Sequence, residues 1–326
     1  MTHVTQIDGS AGSVTARVPA KVNLQLSVGP LRDDGYHDLV TVFHAVSLFD
    51  EVTVSKADRT SVAVTGEGGP AVPLGPANLA VRAAVTLARA TGRRGRGAGG
   101  VRIEIRKRIP VAAGLAGGSA DAAAALVACN ELWRTGLSVA ELGDIGARIG
   151  SDIPFALSGG TAVGLGRGER LTTALVSGSY HWVLAFGAAG LATPDVYAAC
   201  DRLRAARVAR DGEPREVPAP QLSTELMAAL RSGDPAAVGP LLSNDLQPAA
   251  LSLQPLLRRA LAAGREHGAL GAIVSGSGPT CAFLAAGTGA ARDLAVAVTG
   301  AGVCRAVVQV SGPAQGACVV ESGALA

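Results

Sequence analysis

Apolar and polar residues alternate with a period of two near the start of the chain. Four apolar residues between positions 22 and 28 are separated by polar ones, and Lys21 and Asn23 belong to the polar set. In a β-strand this period places the apolar side chains on one face and the polar ones on the other. We therefore predict a strand over residues 21–28 that carries Lys21 and Asn23 on its polar face.

The rest of the pattern predicts helices and strands with mostly antiparallel hairpins. Ser138 and Glu141 form a capping box at the start of one helix, and Thr193-Pro194 opens another. Regular βαβ alternation is missing, so we predict an α+β fold with mixed or antiparallel sheets. At 326 residues the chain is long for one core, and we predict two domains, 1–178 and 179–326.

The pattern also predicts the individual elements. The predicted helices are 77–91, 118–134, 138–150, one from 193 and several within 222–265. The further predicted strands are 101–109, 161–175, 181–187, a pair within 271–285 and one near 303–311.

Composition is typical of a folded globular protein, with 48% hydrophobic and 17% charged residues. The five cysteines are scattered and form no C-x-x-C pair, which argues against a disulfide framework or a zinc site and predicts a cytoplasmic protein. No apolar run of about 18 residues appears, and the first residues lack the pattern of a secretory signal. We expect no association with a membrane and no obligate protein partner.

The basic residues are almost all arginine, and only Lys21, Lys56 and Lys107 are lysines. Lysine differs from arginine in shape and in how readily its pKa shifts, so a lysine in an apolar segment is a candidate for a special role. The run RRGRGAGG (93–100) could contact nucleic acid, but it contains no aromatic residue and the formal net charge is only +3. We predict a loop there and no nucleic-acid partner.

A glycine-rich loop, PVAAGLAGGSA (110–120), follows the strand predicted at 101–109. Glycines let backbone amides approach a ligand, and the positive end of the helix that begins near Gly118 adds to their effect. Together these features favour an anion site, most often for phosphate. The loop lacks the Lys-Ser/Thr of a Walker A motif and the G-x-G-x-x-G of a Rossmann turn. The alternative is a tight turn that packs against a sheet.

Two charged residues are candidates for chemistry. Asp152 follows the predicted helix end at Gly150 and lies between apolar residues, where the pKa of a carboxyl can be tuned for proton transfer. The alternative is an Asx turn that caps the next element, with Pro154 holding Ile153 extended. For Lys21, the alternative to a polar site shared with Asn23 is a solvated lysine on an edge strand.

Two further segments favour binding. Tyr36 and His37 follow the turn signal Asp34-Gly35, where an aromatic ring can stack on a planar ligand while a histidine bonds to its edge; the alternative is a packing lid. In VSGSGPTCAF (274–283), Gly276 and Gly278 indicate either a plain hairpin or a close backbone approach to a ligand or to the first glycine loop.

Three of these segments, in chain order, resemble the three motifs of the GHMP kinase superfamily. They are PAKVNL (19–24), PVAAGLAGGSADAA (110–123) and GAIVSGSGPTCAF (271–283), and together they span most of the chain. The resemblance implies a two-domain α+β fold with the active site in the cleft between the domains. It also implies an ATP-dependent kinase that uses Mg²⁺ and phosphorylates a small-molecule alcohol.

The DGYH loop and the SDIPF aspartate narrow the resemblance to members whose alcohol substrate carries a cytidine diphosphate. It implies Lys21 and Asp152 as the catalytic pair and Ser119 as a contact for Mg²⁺. Implied contacts for the ATP phosphates are Pro110, Val111, Ala112, Ala113, Gly114, Leu115, Ala116, Gly117, Gly118, Ser119 and Ala120. Implied contacts for the alcohol substrate are Asn23, Tyr36, His37, Gly276, Gly278 and Tyr197, which matches a second aromatic residue placed against the base.

The chain departs from the family loop, which often reads G-L-G-G-G-S-S, at Ala116 and Ala120. We expect Ala116 to be tolerated only with a φ below zero, and Ser119 is left as the hydroxyl of this loop. One rival is a kinase of the same superfamily for mevalonate, homoserine or a sugar, against which the DGYH loop and Tyr197 argue. The other is a catalytically inactive regulator that binds a ligand, against which the intact Lys21 and Asp152 argue.

Overall fold

The structure is a computed structural model that describes residues 12–93, 99–211 and 217–320. Most of the arginine-rich run at 93–100, where we predicted a loop, lies outside the described residues. Among the described residues, no helix is both long and apolar enough to span a membrane.

Strands and helices alternate irregularly along the chain. The helices are α1 (Leu79–Ala90), α2 (Gly117–Trp133), α3 (Val139–Ala147), α4 (Ile153–Ser158), α5 (Thr193–Asp211), α6 (Thr224–Ser232), α7 (Pro235–Val238), α8 (Gln247–Leu253), α9 (Leu256–Glu266) and α10 (Thr288–Gly300). The strands are β1 (Ser13–Leu31), β2 (His37–Lys56), β3 (Ser61–Gly66), β4 (Val101–Lys107), β5 (Thr161–Gly166), β6 (Arg170–Thr173), β7 (Tyr180–Phe186), β8 (Ser243–Asn244), β9 (Gly271–Val274), β10 (Cys281–Ala285), β11 (Ala306–Gly312) and β12 (Cys318–Val319).

Two sheets organise these elements, which confirms the predicted mixed and antiparallel architecture. The first has the order β12-β1-β2-β4-β3, with β5 on β2, β6 on β5 and β8 on β1. The second is antiparallel throughout, with the order β11-β7-β10-β9. The second sheet begins at Tyr180, yet β8 and β12 return to pair with β1. The domain boundary at residue 178 therefore stays a prediction.

Strand β1 is a central strand, so the alternative of a solvated edge strand is wrong. It pairs with β2 on one side and with β12 and β8 on the other. Both of its faces are covered, and Lys21 and Asn23 are only 7% and 2% exposed. Alternation predicted the direction of these side chains, but it did not show that the polar face is buried.

Helix α2 lies inside the molecule against β1 and β2. Eleven of its residues are buried, most of them alanines. Small side chains let the helix lie close to the sheet, and a helix that is apolar on nearly every side must be covered on nearly every side. The start of α2, where the glycine loop ends, is consequently held by the core rather than by the surface.

A buried cluster of three ionisable side chains joins β2, β4 and α2. The ammonium of Lys107 donates to Asp50 Oδ2 at 2.5 Å and to Asp121 Oδ2 at 2.8 Å. Burial lowers the pKa of Lys107, but Asp121 and Asp50 outweigh this effect and raise it. The second oxygen of Asp50 accepts the backbone amides of Arg108 and Ile109. The cluster thus ties the entrance of the glycine loop to the helix that follows it.

The segment between residues 222 and 265 is largely helical, which confirms the several helices predicted there. Four separate helices, α6 to α9, occupy this segment, and prolines lie at the start of α7 and α8 and just before α9. Proline cannot donate an intrahelical hydrogen bond and is tolerated only near a helix start. The strand structure predicted around 161–175 is the hairpin β5–β6.

Replacing Lys107 with methionine should destabilise the fold severely. The substitution leaves Asp50 and Asp121 buried without their cation, which typically costs about 3–5 kcal/mol. Urea unfolding measures this loss. Lys56→Met is the matched control, because Lys56 is exposed, and it should change stability by less than about 0.5 kcal/mol. Equal stability of the two variants would contradict a structural role for the cluster.

Asp121→Asn separates the charge of the cluster from its packing. Burial raises the pKa of Asp121 to about 8 despite the opposing effect of Lys107. The surroundings therefore favour a neutral side chain at this position, and Lys107 keeps Asp50 as its partner. We expect Asp121→Asn to cost less than about 1 kcal/mol in the same assay.

Candidate active site

A cavity of about 330 Å³ brings the sequence motifs together. Its wall combines β1, the glycine loop with the start of α2, the residues before α4, the β5–β6 turn, α5 and the third glycine-rich segment. The residues that carry functional groups or loop backbone into it are Lys21, Asn23, Thr41, Ala112, Ala113, Gly114, Ala116, Gly117, Gly118, Ser119, Ser151, Asp152, Arg167, Thr193, Tyr197, Gly276 and Ser277.

A relay of hydrogen bonds fixes Lys21 on β1. Its ammonium donates to Asn23 Oδ1 at 2.5 Å, Asn23 Nδ2 donates to Thr41 Oγ1 at 2.8 Å, and Thr41 donates to the Gln25 carbonyl. The relay uses one of the three N–H donors of the ammonium. Burial lowers the pKa of Lys21, and the negative charge of Asp152 partly offsets this effect. A cation with donors to spare therefore lies at the cavity wall.

Asp152 lies at the N-cap position of α4, but its carboxylate accepts no capping hydrogen bond there. The alternative of an Asx turn is therefore wrong. The expectation that Ile153 is extended is also wrong, because Ile153 and Pro154 occupy the first two helical positions, where proline needs no amide donor. Asp152 and Lys21 interact across the cavity, with no direct ion pair within 4 Å between them.

The glycine loop and the third motif are in contact through their backbones. A Cβ atom at Gly114 would lie 2.1 Å from the Ser275 carbonyl oxygen, so no larger residue fits there. Ser275 Oγ donates to the Gly114 carbonyl at 3.2 Å. At Gly276, a Cβ atom would lie 3.0 Å from Lys21 Nζ. Of the alternatives for the third motif, the close approach to the first loop is confirmed.

The start of α2 presents unpaired backbone donors to the cavity. Its first intrahelical bond runs from the Ala120 amide to the Ala116 carbonyl, at 2.9 Å. The amides of residues 117–119 consequently have no acceptor within the helix. Gly118 and Ser119 line the cavity. Amides in this arrangement, at the positive end of a 17-residue helix, suit a phosphate group.

The expectation of a negative φ at Ala116 is wrong. Ala116 has a φ of 59° and is the N-cap of α2 in the left-handed region. This conformation costs a non-glycine residue about 1–2 kcal/mol. The buried helix and sheet around the loop are extensive enough to hold Ala116 in this strained state. Ala120 lies within α2 and is buried.

Several of the residues implied for ligand contact lie outside the cavity wall. Leu115 and Ala120 belong to the hydrophobic core, and Pro110, Val111 and Gly278 also lie outside the lining.

The aromatic candidates divide in a similar way. Tyr197 lines the cavity, whereas Tyr36 and His37 do not. His37 is buried, contacts Asp201 Oδ1 at 3.0 Å and packs against the Tyr197 ring with centroids 5.1 Å apart. Tyr36 is half exposed, and the guanidinium of Arg167 lies 4.6 Å from its ring centroid.

Sequence patterns missed three contributors to this region. Lys107 was one of only three lysines, and that rarity was the available signal. Arg167 lies between Gly166 and Gly168, a pattern typical of any turn. Asp201 is separated from its partner His37 by 164 residues, and no local pattern indicates such a contact.

The donor set at the cavity fits a hard cation that is also bound by phosphate oxygens. Asp152 and Ser119 line the same cavity, and Ser119 Oγ lies near Gly150, in the segment that leads to Asp152. No group of three or more His, Cys, Asp or Glu among the described residues forms a metal cage. Mg²⁺ typically takes one or two protein oxygens and completes its shell with phosphates and water.

Comparison with known proteins defines the class. The model of the GHMP kinases N terminal domain matches residues 78–160, and that of the GHMP kinases C terminal matches 226–304. The chain is 58% identical to the 4-diphosphocytidyl-2-C-methyl-D-erythritol kinase of Mycolicibacterium smegmatis, over 96% of this chain and 94% of that one. The enzyme of the same name from Nocardia farcinica is 55% identical, over 94% and 96%.

Solved structures agree in fold. A crystal structure of 4-(cytidine 5'-diphospho)-2C-methyl-D-erythritol kinase has a TM-score of 0.71 and 34% identity, and the match covers 91% of this chain and 98% of that one. Homoserine kinase from Cytophaga hutchinsonii also gives 0.71, at 19% identity, covering 98% and 100%. The chain therefore belongs to the GHMP kinases. Within them it is a member of the 4-diphosphocytidyl-2-C-methyl-D-erythritol kinase family, whose relatives above are identical at more than half of their positions.

Ala116→Gly should stabilise the protein. Glycine relieves the left-handed strain, and after its own entropy cost the gain should be about 0.5–1 kcal/mol. Urea unfolding of both variants and the parent measures it. The matched control is Ala120→Gly, within the right-handed helix, which should lose at least about 1 kcal/mol. Destabilisation by Ala116→Gly would contradict a left-handed Ala116.

Proposed function

We propose that the protein transfers the γ-phosphoryl group of ATP to the 2-hydroxyl of 4-diphosphocytidyl-2-C-methyl-D-erythritol, in non-mevalonate isoprenoid precursor biosynthesis. One observation carries the proposal: a single cavity combines the unpaired amides of α2 with Lys21 and Asp152. Residues from both predicted domains line it, which supports an active site in the cleft between them. Family membership supports the choice of substrate.

Each part of the reaction has its own residues. Phosphoryl transfer needs an in-line alcohol, a proton acceptor and positive charge around the moving group. In our proposal the amides of residues 117–119 bind the ATP phosphates. Asp152 accepts or orients the proton of the alcohol. The ammonium of Lys21 stabilises the charge that develops on the phosphoryl oxygens, and its low-dielectric surroundings strengthen that effect.

Ser119 would help to hold Mg²⁺, which would neutralise negative charge on the triphosphate. Other residues of the chain position the phosphate loop and Lys21 relative to each other. Gly114 and Gly276 let the phosphate loop lie against Lys21, and the relay through Asn23 to Thr41 holds the ammonium in place.

Tyr197 supplies the aromatic surface for the cytosine in this proposal. Tyr197 lines the cavity, and His37, which lies outside the lining, packs against its ring. His37 is itself held by Asp201, so its proposed role is to orient Tyr197 rather than to bond to the base edge. Burial raises the pKa of Tyr197, so its hydroxyl stays protonated and can donate a hydrogen bond.

Mevalonate and homoserine kinases share the fold at 16% and 19% identity, which carries no argument for their activities, whereas the relatives at 58% and 55% identity are 4-diphosphocytidyl-2-C-methyl-D-erythritol kinases. The aromatic surface at Tyr197 favours a substrate with a base. A catalytically inactive regulator would not need Lys21 and Asp152 to line the phosphate cavity together. We further propose a cytoplasmic location, supported by five cysteines that all lie in the described residues and form no disulfide.

Asp152→Asn should abolish most of the turnover. The substitution keeps the size of the side chain but removes the proton acceptor, so kcat should fall at least ~10²-fold. The KM for ATP should change little, because amides bind the phosphates. Steady-state kinetics measures both, with Asp144→Asn as the control for the same change at an exposed site on α3. A near-normal kcat would contradict the proposed role of Asp152 in phosphoryl transfer.

The substrate assignment predicts a strong preference for the cytidylated alcohol. Stacking on an aromatic ring is worth ~1–3 kcal/mol per base in nucleic-acid complexes. Binding energy from a remote group also positions the reacting group, so a truncated substrate should lose kcat as well as KM. The measurement is kcat/KM at saturating ATP for the cytidylated alcohol, methylerythritol, mevalonate and homoserine. If mevalonate or homoserine were turned over equally well, the substrate assignment would be wrong, but the assignment as a kinase would stand.

A further inference from the structure

A short segment, SNDLQ (243–247), lies between strand β1 and the third glycine-rich segment. Strand β8, which begins this segment, pairs in parallel with β1. The Asp245 amide donates to the Leu26 carbonyl at 2.9 Å, and Asp245 Oδ2 accepts the Val28 amide at 2.8 Å. The segment is therefore fixed to the strand that carries Lys21.

The side chain of Asn244 extends from this segment to the third motif. Its Nδ2 donates to the carbonyls of Val274 and Gly276, both at 2.7 Å. Its Oδ1 accepts the amide of Leu246 at 2.9 Å, so both N–H donors and the oxygen of the carboxamide are engaged. The reverse orientation would place an oxygen against two carbonyl oxygens. These partners therefore define the direction of the carboxamide.

Gly276 is the residue at which the three motifs meet. A Cβ atom there would lie 3.0 Å from both Lys21 Nζ and the Gly114 carbonyl oxygen. Both Gly276 and Ser277 line the cavity. The carbonyl of Gly276 and the amide of Ser277 belong to one planar peptide unit. The bond from Asn244 consequently fixes the orientation of a peptide unit in the cavity wall.

Other hydrogen bonds of the third motif connect it to different parts of the chain. The Gly278 amide donates to the Ser275 carbonyl, and the Ser275 amide donates to the Thr280 carbonyl. These two bonds shape the loop from within. The bond from Ser275 Oγ ties it to the glycine loop. Asn244, through β8, ties the third motif to β1.

We infer that Asn244 is a positioning residue for phosphoryl transfer, because it holds Gly276 and the third motif in place beside Lys21. The inference rests on the proposed function, which assigns Lys21 to the transferred phosphoryl group. Asn244 lies outside the cavity lining and acts through Gly276. A misplacement of about 1 Å that originates far from the chemistry can cost about 10²-fold in rate. Loss of the Asn244 bonds should therefore appear in kcat.

Asn244→Asp tests this role. The substitution keeps the size of the side chain and the acceptor for the Leu246 amide, but it replaces both donors with a carboxylate oxygen. With the cytidylated alcohol and saturating ATP, kcat should fall by about tenfold or more. The KM for ATP should change little, because the amides of residues 117–119 bind the phosphates.

Two variants control for the change from amide to acid. Gln247 Oε1 accepts the Val274 amide at 2.8 Å, and a carboxylate can still accept it. Gln247→Glu should therefore lose much less kcat than Asn244→Asp, although both side chains bond to the third motif. Gln309→Glu, on β11 and exposed, is the control for the added charge and should turn over as the parent does.

A pH profile separates the lost donors from a general loss of structure. The carboxyl introduced by Asn244→Asp regains one O–H donor when it is protonated, and the two facing carbonyls favour that form. The ratio of variant kcat to parent kcat should therefore rise between about pH 8 and about pH 6. The same ratio for Gln309→Glu should stay flat. A flat ratio for Asn244→Asp would contradict the role of the donors.

Asn244→Ala removes both donors without adding a charge, and it carries the test if Asn244→Asp does not fold. Its kcat should also fall, with the KM for ATP little changed. Urea unfolding gives the folded fraction by which each kcat is corrected. A parent-like kcat per folded molecule in Asn244→Ala, with normal turnover of the cytidylated alcohol by the parent, would overturn the inference and keep the proposed function. A rise in the KM for ATP alone would overturn the inference and assign Asn244 to nucleotide binding. A parent that does not turn over the cytidylated alcohol would overturn both.

Discussion

The two hydrogen bonds from the Lys107 ammonium to Asp50 and Asp121 are the interaction on which the position of the glycine loop and the start of α2 depends. Removing charges from water is costly, and a buried ion pair is tolerated only when its geometry and remaining hydrogen bonds are satisfied. Here Asp50 also accepts the amides of Arg108 and Ile109, which directly precede the glycine loop. The Lys107 ammonium would lie 3.3 Å from a Cβ atom at Gly117. The start of α2 is thus held by a charged cluster directly beneath it.

Backbone contact between two glycines sets the spacing of the active site. Gly114 lies against the Ser275 carbonyl, and Gly276 lies beside Lys21. Any side chain at either position would push the phosphate loop away from the third motif or displace the ammonium. The absence of a Cβ atom at Gly114 and at Gly276 therefore allows the short distance between the glycine loop and Lys21. This explains why two glycine-rich segments, whose contacting residues Gly114 and Ser275 are 161 positions apart, belong to one site.

Sequence patterns predicted local geometry well where short-range physics determines it. The alternation at 21–28 gave the directions of Lys21 and Asn23, and the capping box at Ser138 is formed by both partners. The glycine loop was correctly placed between a strand and a helix. The sequence did not reveal that the polar face of β1 is buried, because β8 and β12, far along the chain, cover the strand. Ala116 was misjudged for a related reason, since tertiary packing sustains a conformation that its own preference opposes.

The least predictable part of the site is its recognition of the substrate. The family resemblance implied an aromatic pair, Tyr36 and Tyr197, but local sequence says nothing about which of the two residues lie at the same cavity. In the structure Tyr197 lines the cavity, whereas Tyr36 lies outside the lining and contacts Arg167. Tyr197 belongs to α5 and Tyr36 directly precedes β2. Their positions relative to the cavity are therefore decided by long-range packing, which no local pattern encodes.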